Sequence, residues 1–421
     1  MDTNTGTSPG GAVAASPAAS PASSFAVSPA ASPAFGPAAF RLTDEQVALR
    51  DAVRELAREK VAPRAAEIDR TSEFPDDLRR LLAAQDILAL PFPATHGGLD
   101  ADLLTLCLAI EELSAACATT GLILAVHALA SLPILLAGTP AQQARWLPSL
   151  AAGRTLIAFA LTEAGAGSDV AAMTTRAVRD GDDYVLTGTK RFISQGSVAD
   201  LLVVFAVTDA GAAKGNRHIS AFVVERASPG LAVGRLEHKM GIRGSPTAEL
   251  LFDRVRVPAD HLLGAEGEGF SIAMRTFERS RPGIAAQAVG IAQGALDVAT
   301  KYAGERVQFG RPIGQMQMVQ ALLADMDAAT AAARALLYMA CAAIDAGDGD
   351  PGRWAALCKL VAGDAAMKVT TDAVQVLGGS GYLEDFPVER MMRDAKITQL
   401  YEGTQQIQRL IVARSILDAH R

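Results

Sequence analysis

Cysteine is scarce in this chain of 421 residues: Cys107, Cys117, Cys341 and Cys358 are all it has, and no two make a C-x-x-C pair. Neither a disulfide framework nor a thiolate zinc site is indicated, and the four read as buried thiols in a reducing compartment. Aromatics are also few, 5% against 50% hydrophobic, so Ala and Leu must do most of the packing, as in a soluble, helix-rich enzyme. Blocks of Lys or Arg are missing and the net charge is -7, which removes the electrostatic footprint of a nucleic-acid partner. The G-x-G-x-x-G, G-x-x-x-x-G-K-[ST], H-E-x-x-H and G-x-S-x-G motifs are absent, which disfavours a nicotinamide cofactor on a Rossmann fold and points to no metal site.

Charge is missing from residues 114–143, where no Asp, Glu, Lys or Arg occurs. Length satisfies a membrane span, but His127, Pro133 and Gly138 favour a buried core helix, so no membrane partner is expected. Residues 1–40 contain SPAASPA twice and carry only Asp2 as a charge. Such sequence cannot bury a core and is expected to be a disordered tail. Its composition matches neither a secretory signal nor an Arg-rich presequence, and a cytoplasmic protein is expected.

Folded sequence starts at LTDEQVALRDAV, where Thr43 and Gln46 make a capping box and Leu49, Val53 and Leu56 a stripe. Helical patterns continue through 41–154. Over 155–265 short β-branched segments such as DYVLTGTKRFIS, DLLVVFAVTD and ISAFVVE alternate with Gly, Asp or Pro, predicting an antiparallel β domain. Long Ala/Leu helices return over 266–421. The expected fold class is α+β, mostly α, in the order helical, β, helical.

Four stretches carry candidate chemistry. FALTEAGAGSDV (159–170) places small residues between Glu163 and Ser168, so backbone can approach a planar or anionic ligand. KRFISQG offers Phe192 and Ser194; ERVQFGRPIG offers Arg306; QVLGGSGY offers Gln375 and glycines that would let a helix end approach an anion. Each alone reads first as a turn, a core aromatic, an ion pair or a helix cap. A separate question is Glu402, a lone carboxylate in LYEGT at a break between helices with apolar neighbours, which taken alone reads first as a cap on the last helix.

Together with KMGIRGSPTAELLFDRVRVP and MMRDAKITQLYEGTQQIQR, these motifs make residues 41–418 resemble the acyl-CoA dehydrogenase family. The resemblance implies a C-terminal four-helix bundle, a homotetramer built as a dimer of dimers, and FAD-dependent α,β-dehydrogenation of an acyl-CoA substrate, with electrons passed to an electron-transfer flavoprotein. It implies FAD contacts from Phe159, Leu161, Thr162, Gly167, Ser168, Phe192, Ile193 and Ser194. From a neighbouring subunit it implies Arg306, Gln308, Phe309, Gln317, Gln375, Val376, Gly378 and Gly379, with Thr404 and Gln406 returning to the same subunit's cofactor. Ser168, Glu278, Ser280, Arg281, Tyr401 and Gly403 match substrate contacts, with Arg281 facing the CoA arm, and Glu402 matches the α-proton base. Some relatives carry the base where this chain has Ser280, which cannot serve; Glu278 is the local rival. An oxidase or carrier-protein-linked dehydrogenase with the same site, and a non-catalytic thioester-binding scaffold, are the competing readings.

Overall fold

The computed structural model describes residues 41–208 and 218–419; the expected disordered tail lies outside them. The N-terminal helices are α1 (Asp44–Leu56), α2 (Ala65–Thr71), α3 (Asp76–Ala84), α4 (Leu103–Ala116), α5 (Ala118–Ala137) and α6 (Pro140–Ala151). Strands β1 (Ile157–Ala160), β2 (Arg176–Asp180), β3 (Asp183–Ser194), β4 (Leu201–Val207), β5 (Ile219–Glu225), β6 (Leu231–Leu236), β7 (Thr247–Pro258) and β8 (Leu262–Leu263) follow. The C-terminal part holds α7 (Gly269–Glu305), a hairpin of β9 (Val307–Gln308) and β10 (Arg311–Pro312), α8 (Gln317–Ala346), α9 (Pro351–Leu377), α10 (Val388–Ala395) and α11 (Gln405–Asp418).

The expected capping box opens α1, with both Thr43–Gln46 bonds formed. Helix α5 is long and apolar enough to cross a membrane, yet 72% of its most apolar window is buried inside the protein, as expected of a core helix. Helix α8 also passes on length and composition, but it is amphipathic and only 39% buried. Three long helices, α7, α8 and α9, pack on one another, and the shorter α11 completes the set against α9. They share one core with the N-terminal helices, running from Val53 through Ile110 and Ile123 to Val289 and Val369. Glu111 on α4 ties the two layers together by accepting from Arg334 Nε (2.7 Å) and Tyr338 Oη (3.2 Å) on α8. All four cysteines are buried and free.

The sheet runs in the order β6-β7-β3-β2-β4-β5-β8, with β1 beside β4. Most neighbours are antiparallel as expected, but β1 pairs with β4 in parallel and β2 meets β4 in parallel at one residue pair. The sheet is therefore mixed at its centre, because the connection from β1 to β4 passes through the β2–β3 hairpin. Alternate residues of β4 serve two cores: Leu201, Val203 and Phe205 face the helices, while Leu202, Val204 and Ala206 face the sheet interior. Burial on both sides explains why LLVVFAV reads as an unbroken apolar run.

The loop after β1 is stapled to β3 by a buried ion pair. Lys190 Nζ donates to Glu163 Oε1 (2.8 Å) and to the Leu161 carbonyl (3.0 Å). Glu163 also accepts from Thr174 N, Thr174 Oγ1 and Thr175 N at 2.7, 2.8 and 3.0 Å. Burial alone would raise the Glu163 pKa, but the Lys190 ammonium and these donors bring it down to about 2. Burial pulls Lys190 down to about 8 against the attraction of Glu163.

Because Glu163 is held well below its ordinary value, its contribution to stability is complete above about pH 4.5 and is lost as pH falls toward 2. Lys190→Met strands the carboxylate in the interior and should cost about 3–5 kcal/mol near pH 7. In that variant protonating Glu163 relieves the cost, so the loss measured by urea unfolding should shrink on acidification.

Candidate active site

Glu402 lies between the 3-10 turn Lys396–Gln399 and α11. It does not cap α11: Thr404 does, its Oγ1 accepting from Ile407 N (3.4 Å). Glu402 and Gly403 both adopt left-handed backbone, φ 52° and 94°. At φ 94° residue 403 holds backbone that side-chain-bearing residues rarely adopt, and a side chain there would also displace Gln408 Nε2, 2.7 Å away, so glycine is favoured.

Three helices grip this turn. Arg281 Nε from α7 and Gln408 Nε2 from α11 both donate to the Glu402 carbonyl, each at 3.1 Å. Lys359 Nζ from α9 (2.7 Å) and Gln408 Nε2 (2.9 Å) donate to the Gly403 carbonyl. Tyr401 Oη donates to Gln287, whose Nε2 donates to the Ala118 carbonyl (3.0 Å). Among the described residues the Glu402 and Gly403 N–H groups meet no backbone acceptor, leaving two donors beside the carboxylate.

The carboxylate itself accepts from Ser280 Oγ (2.6 Å) at Oε2. Burial raises the Glu402 pKa above the usual carboxylate range, while the Ser280 hydrogen bond, Arg281 and Lys359 pull the other way. The apolar surroundings read from the sequence are thus corrected: flanking residues are apolar, but the fold brings a hydroxyl and two cations to the carboxylate. Ser280 also lines a cavity of 140 Å³ between α4, α5 and α7, walled by Leu106, Ile110, Ala125 and Ala128, with Asp102, Arg279 and Asp345 at its polar side.

Arg281 is 6% exposed and turned toward Glu402, with its guanidinium 5.3 Å from the Phe277 ring, and among the described residues it forms no ion pair with Glu278. Glu278 is half-buried, its pKa raised by burial and by Asp350. Phe277 in turn packs against Phe159 (5.7 Å between centroids), which joins the candidate base to the loop after β1.

In that loop the Glu163 staple, with Arg191 N donating to the Thr162 carbonyl (2.8 Å), fixes Thr162 beside β3. A bulge shifts the β3–β7 register between Lys190 and Ile193, and Phe192, at φ 59°, swings out to 55% exposure. Ser168 is exposed and Ser194 half-buried. Gly165, Gly167, Gly378 and Gly379 face open space, with no atom within 4 Å of where a side chain would begin. An open, hydroxyl-bearing loop beside an outward aromatic fits a flavin. The side chains of Leu161, Ile193 and Val376 point into the protein core, which leaves their backbone as the part that would meet a cofactor.

The remaining expected contacts form a separate group. Arg306 ends α7, Gln308 and Phe309 lie in the following hairpin with Phe309 94% exposed, and Tyr302 Oη donates to Ser380 (3.2 Å), bringing Gly378 and Gly379 near. Gln317 and Gln375 are exposed on α8 and α9, and Thr404 and Gln406 begin α11. Arg306 is 25 residues beyond Arg281, which faces Glu402, so about 37 Å of helix separates Arg306 and its hairpin from that end of α7. The expected helix end at 378 is also the C-terminal pole of α9, whose exposed carbonyls repel an anion; the open glycines, not the helix dipole, make it approachable.

Sequence reasoning missed Glu163, Lys190, Gln287, Lys359 and Gln408. A signal existed for two of them: Lys190 shares strand parity with buried Tyr184 and Leu186, and Lys359 stands inside the apolar helical run AALCKLVAG.

Family models described as the N-terminal, middle and C-terminal domains of acyl-CoA dehydrogenase match residues 43–154, 158–255 and 267–417. The chain is 50% identical over 377 residues to cyclohex-1-ene-1-carbonyl-CoA dehydrogenase of Geobacter metallireducens, covering 89% of this chain and 99% of that protein. Butyryl-CoA dehydrogenase from Megasphaera elsdenii matches with a TM-score of 0.87 and 42% identity over 90% of this chain and 99% of its own. A chain solved with the electron transferring flavoprotein work on Acidaminococcus fermentans matches with a TM-score of 0.87 and 44% identity over 90% and 99%. With three domain models matched in order and close relatives over nearly their whole length, this chain belongs to the acyl-CoA dehydrogenase family, oxidoreductases acting on CH–CH bonds.

Proposed function

We propose that this enzyme desaturates a compact acyl-CoA thioester between its α and β carbons, with Glu402 as the base. The observation that carries this reading is a carboxylate of raised pKa in a rigid turn, with two free N–H groups beside it and an apolar cavity adjoining Ser280. Glu402 would take the α proton. The adjacent N–H groups would receive the charge that develops on the thioester oxygen, an arrangement worth about 3 kcal/mol per donor in acyl chemistry. Ser280 would hold the carboxylate until substrate displaces its hydroxyl. Bound FAD, held by the backbone and hydroxyls of 159–168 and covered by Phe192, would supply the acceptor for the hydride leaving the β carbon. Electron-transfer flavoprotein is the proposed outlet.

A homotetramer is part of the same proposal. Helix α11 leaves Leu410, Ile416 and Leu417 exposed at 51%, 44% and 62%, and the Arg306–Phe309 hairpin projects Val307 and Phe309 at 52% and 94% exposure. A second copy would cover the first and give the second its ligand.

Glu402→Gln should retain FAD while kcat falls about 100-fold to 10,000-fold and anaerobic substrate no longer bleaches the flavin. Undiminished bleaching would move the base elsewhere. Ser280→Ala removes a hydrogen bond that favours the carboxylate, so the acid limb of the kcat/KM profile should move to higher pH; an unmoved limb would separate Ser280 from the base. Rapid reoxidation of reduced enzyme by air, matching turnover, would replace the dehydrogenase outlet with an oxidase one.

A further inference from the structure

Lys359 is fully buried in the middle of α9, within an apolar helical run. A lysine at such a position is costly unless its charge is paired or its donors are used. Among the described residues no carboxylate comes within ion-pair distance of it. Its donors go to the Gly403 carbonyl (2.7 Å) and to Gln405 Oε1 (3.3 Å), two residues that flank the start of α11. A leucine would fill the same space in the core without desolvating a cation, so packing does not account for it.

Its placement accounts for it better. The Glu402–Gly403 turn is left-handed at both residues, which a non-glycine residue such as Glu402 adopts only when its surroundings hold it there. Gln408 donates to both carbonyls of the turn, but a neutral amide shared between two acceptors holds each one loosely. The ammonium adds a charged hydrogen bond to the second carbonyl from a different helix. It also adds a positive charge beside the carboxylate. We propose that Lys359 is a positioning residue for dehydrogenation: it locks the Gly403 carbonyl so that the Glu402 carboxylate and the adjacent N–H groups stay aimed at the thioester.

This rests on the reading of Glu402 as base. The charged and titratable groups facing Glu402 are Arg281 from α7, Lys359 from α9 and Tyr401 beside it, while Lys359 itself also senses Asp364. Burial lowers the Lys359 pKa to about 8, so it is cationic at neutral pH, and its charge favours the ionised form of Glu402.

The test compares Lys359→Met, which keeps length but loses charge and donors, with Lys359→Gln, which keeps a donor. In flavin-loaded enzyme, Lys359→Met should lower kcat about 10-fold to 100-fold with KM little changed, because α-proton removal and not binding is impaired. Its acid limb should move to higher pH and its α-deuterium isotope effect should rise. Lys359→Gln should recover part of kcat yet keep the shifted limb, since the charge is still absent. Hydrogen exchange over 396–408 should speed up in Lys359→Met while exchange over α7 and β3 is unchanged. Wild-type kcat, acid limb and local exchange in either folded variant would overturn the proposal. Should Lys359→Met not fold, an unshifted acid limb in Lys359→Gln would overturn it alone. Glu402→Gln run in parallel separates the two ideas: activity retained there removes the base reading, whereas activity lost there with wild-type Lys359 variants removes only the positioning role.

Discussion

The active site depends on a turn that would not hold its shape alone. Glu402 and Gly403 sit in left-handed backbone, and their carbonyls are held by Arg281, Lys359 and Gln408 from three different helices. Two of these donors, Arg281 and Lys359, come from α7 and α9, helices that the shared core fixes independently of the turn. The core therefore works as a jig: its packing energy is spent on bringing these two side chains to two consecutive peptide groups. A loop of the same sequence in a looser bundle would keep only the local Gln408 bonds, and the left-handed backbone at Glu402, disfavoured for a non-glycine residue, would relax.

The second dependence is the buried pair Glu163–Lys190. It fastens the loop after β1 to β3, and the bulge that follows Lys190 turns Phe192 outward. An interior ion pair is poor value as a source of stability, since desolvating two charges offsets most of their attraction. Its gain here is positional: the carboxylate satisfies the backbone of 174–175 while the ammonium satisfies the carbonyl of Leu161, so a glycine-rich segment acquires one conformation. Phe159, Phe277 and Arg281 then relay that position to the turn that carries Glu402. Both halves of the site are thus set by buried charges whose partners are largely backbone atoms.

Much of this protein was legible from local pattern. The helical, β, helical order follows from a change of period near residues 155 and 266, because helices and half-buried strands place apolar residues at different spacings. The Thr43–Gln46 cap, the buried α5 and the motif residues around Glu402 were readable for the same reason: each depends on neighbours within a few positions. The parallel β1–β4 pairing was not, since nothing in IAFA or LLVVFAV states which strand will lie beside it or in which direction.

The sequence by itself determined which elements form and which carboxylate stands at a break in them. Only the tertiary structure decided what that carboxylate experiences. Ser280, Arg281 and Lys359 lie 122, 121 and 43 positions from Glu402 in the chain, and no spacing rule links them to it. Nothing local in ERSR signals that Arg281 is buried, and nothing in AALCKLVAG names the Gly403 carbonyl that Lys359 holds. Local preferences act over a few residues, whereas electrostatic and hydrogen-bonding partners are chosen by whichever helices the core packs together, so the chemistry of the site is a property of the fold.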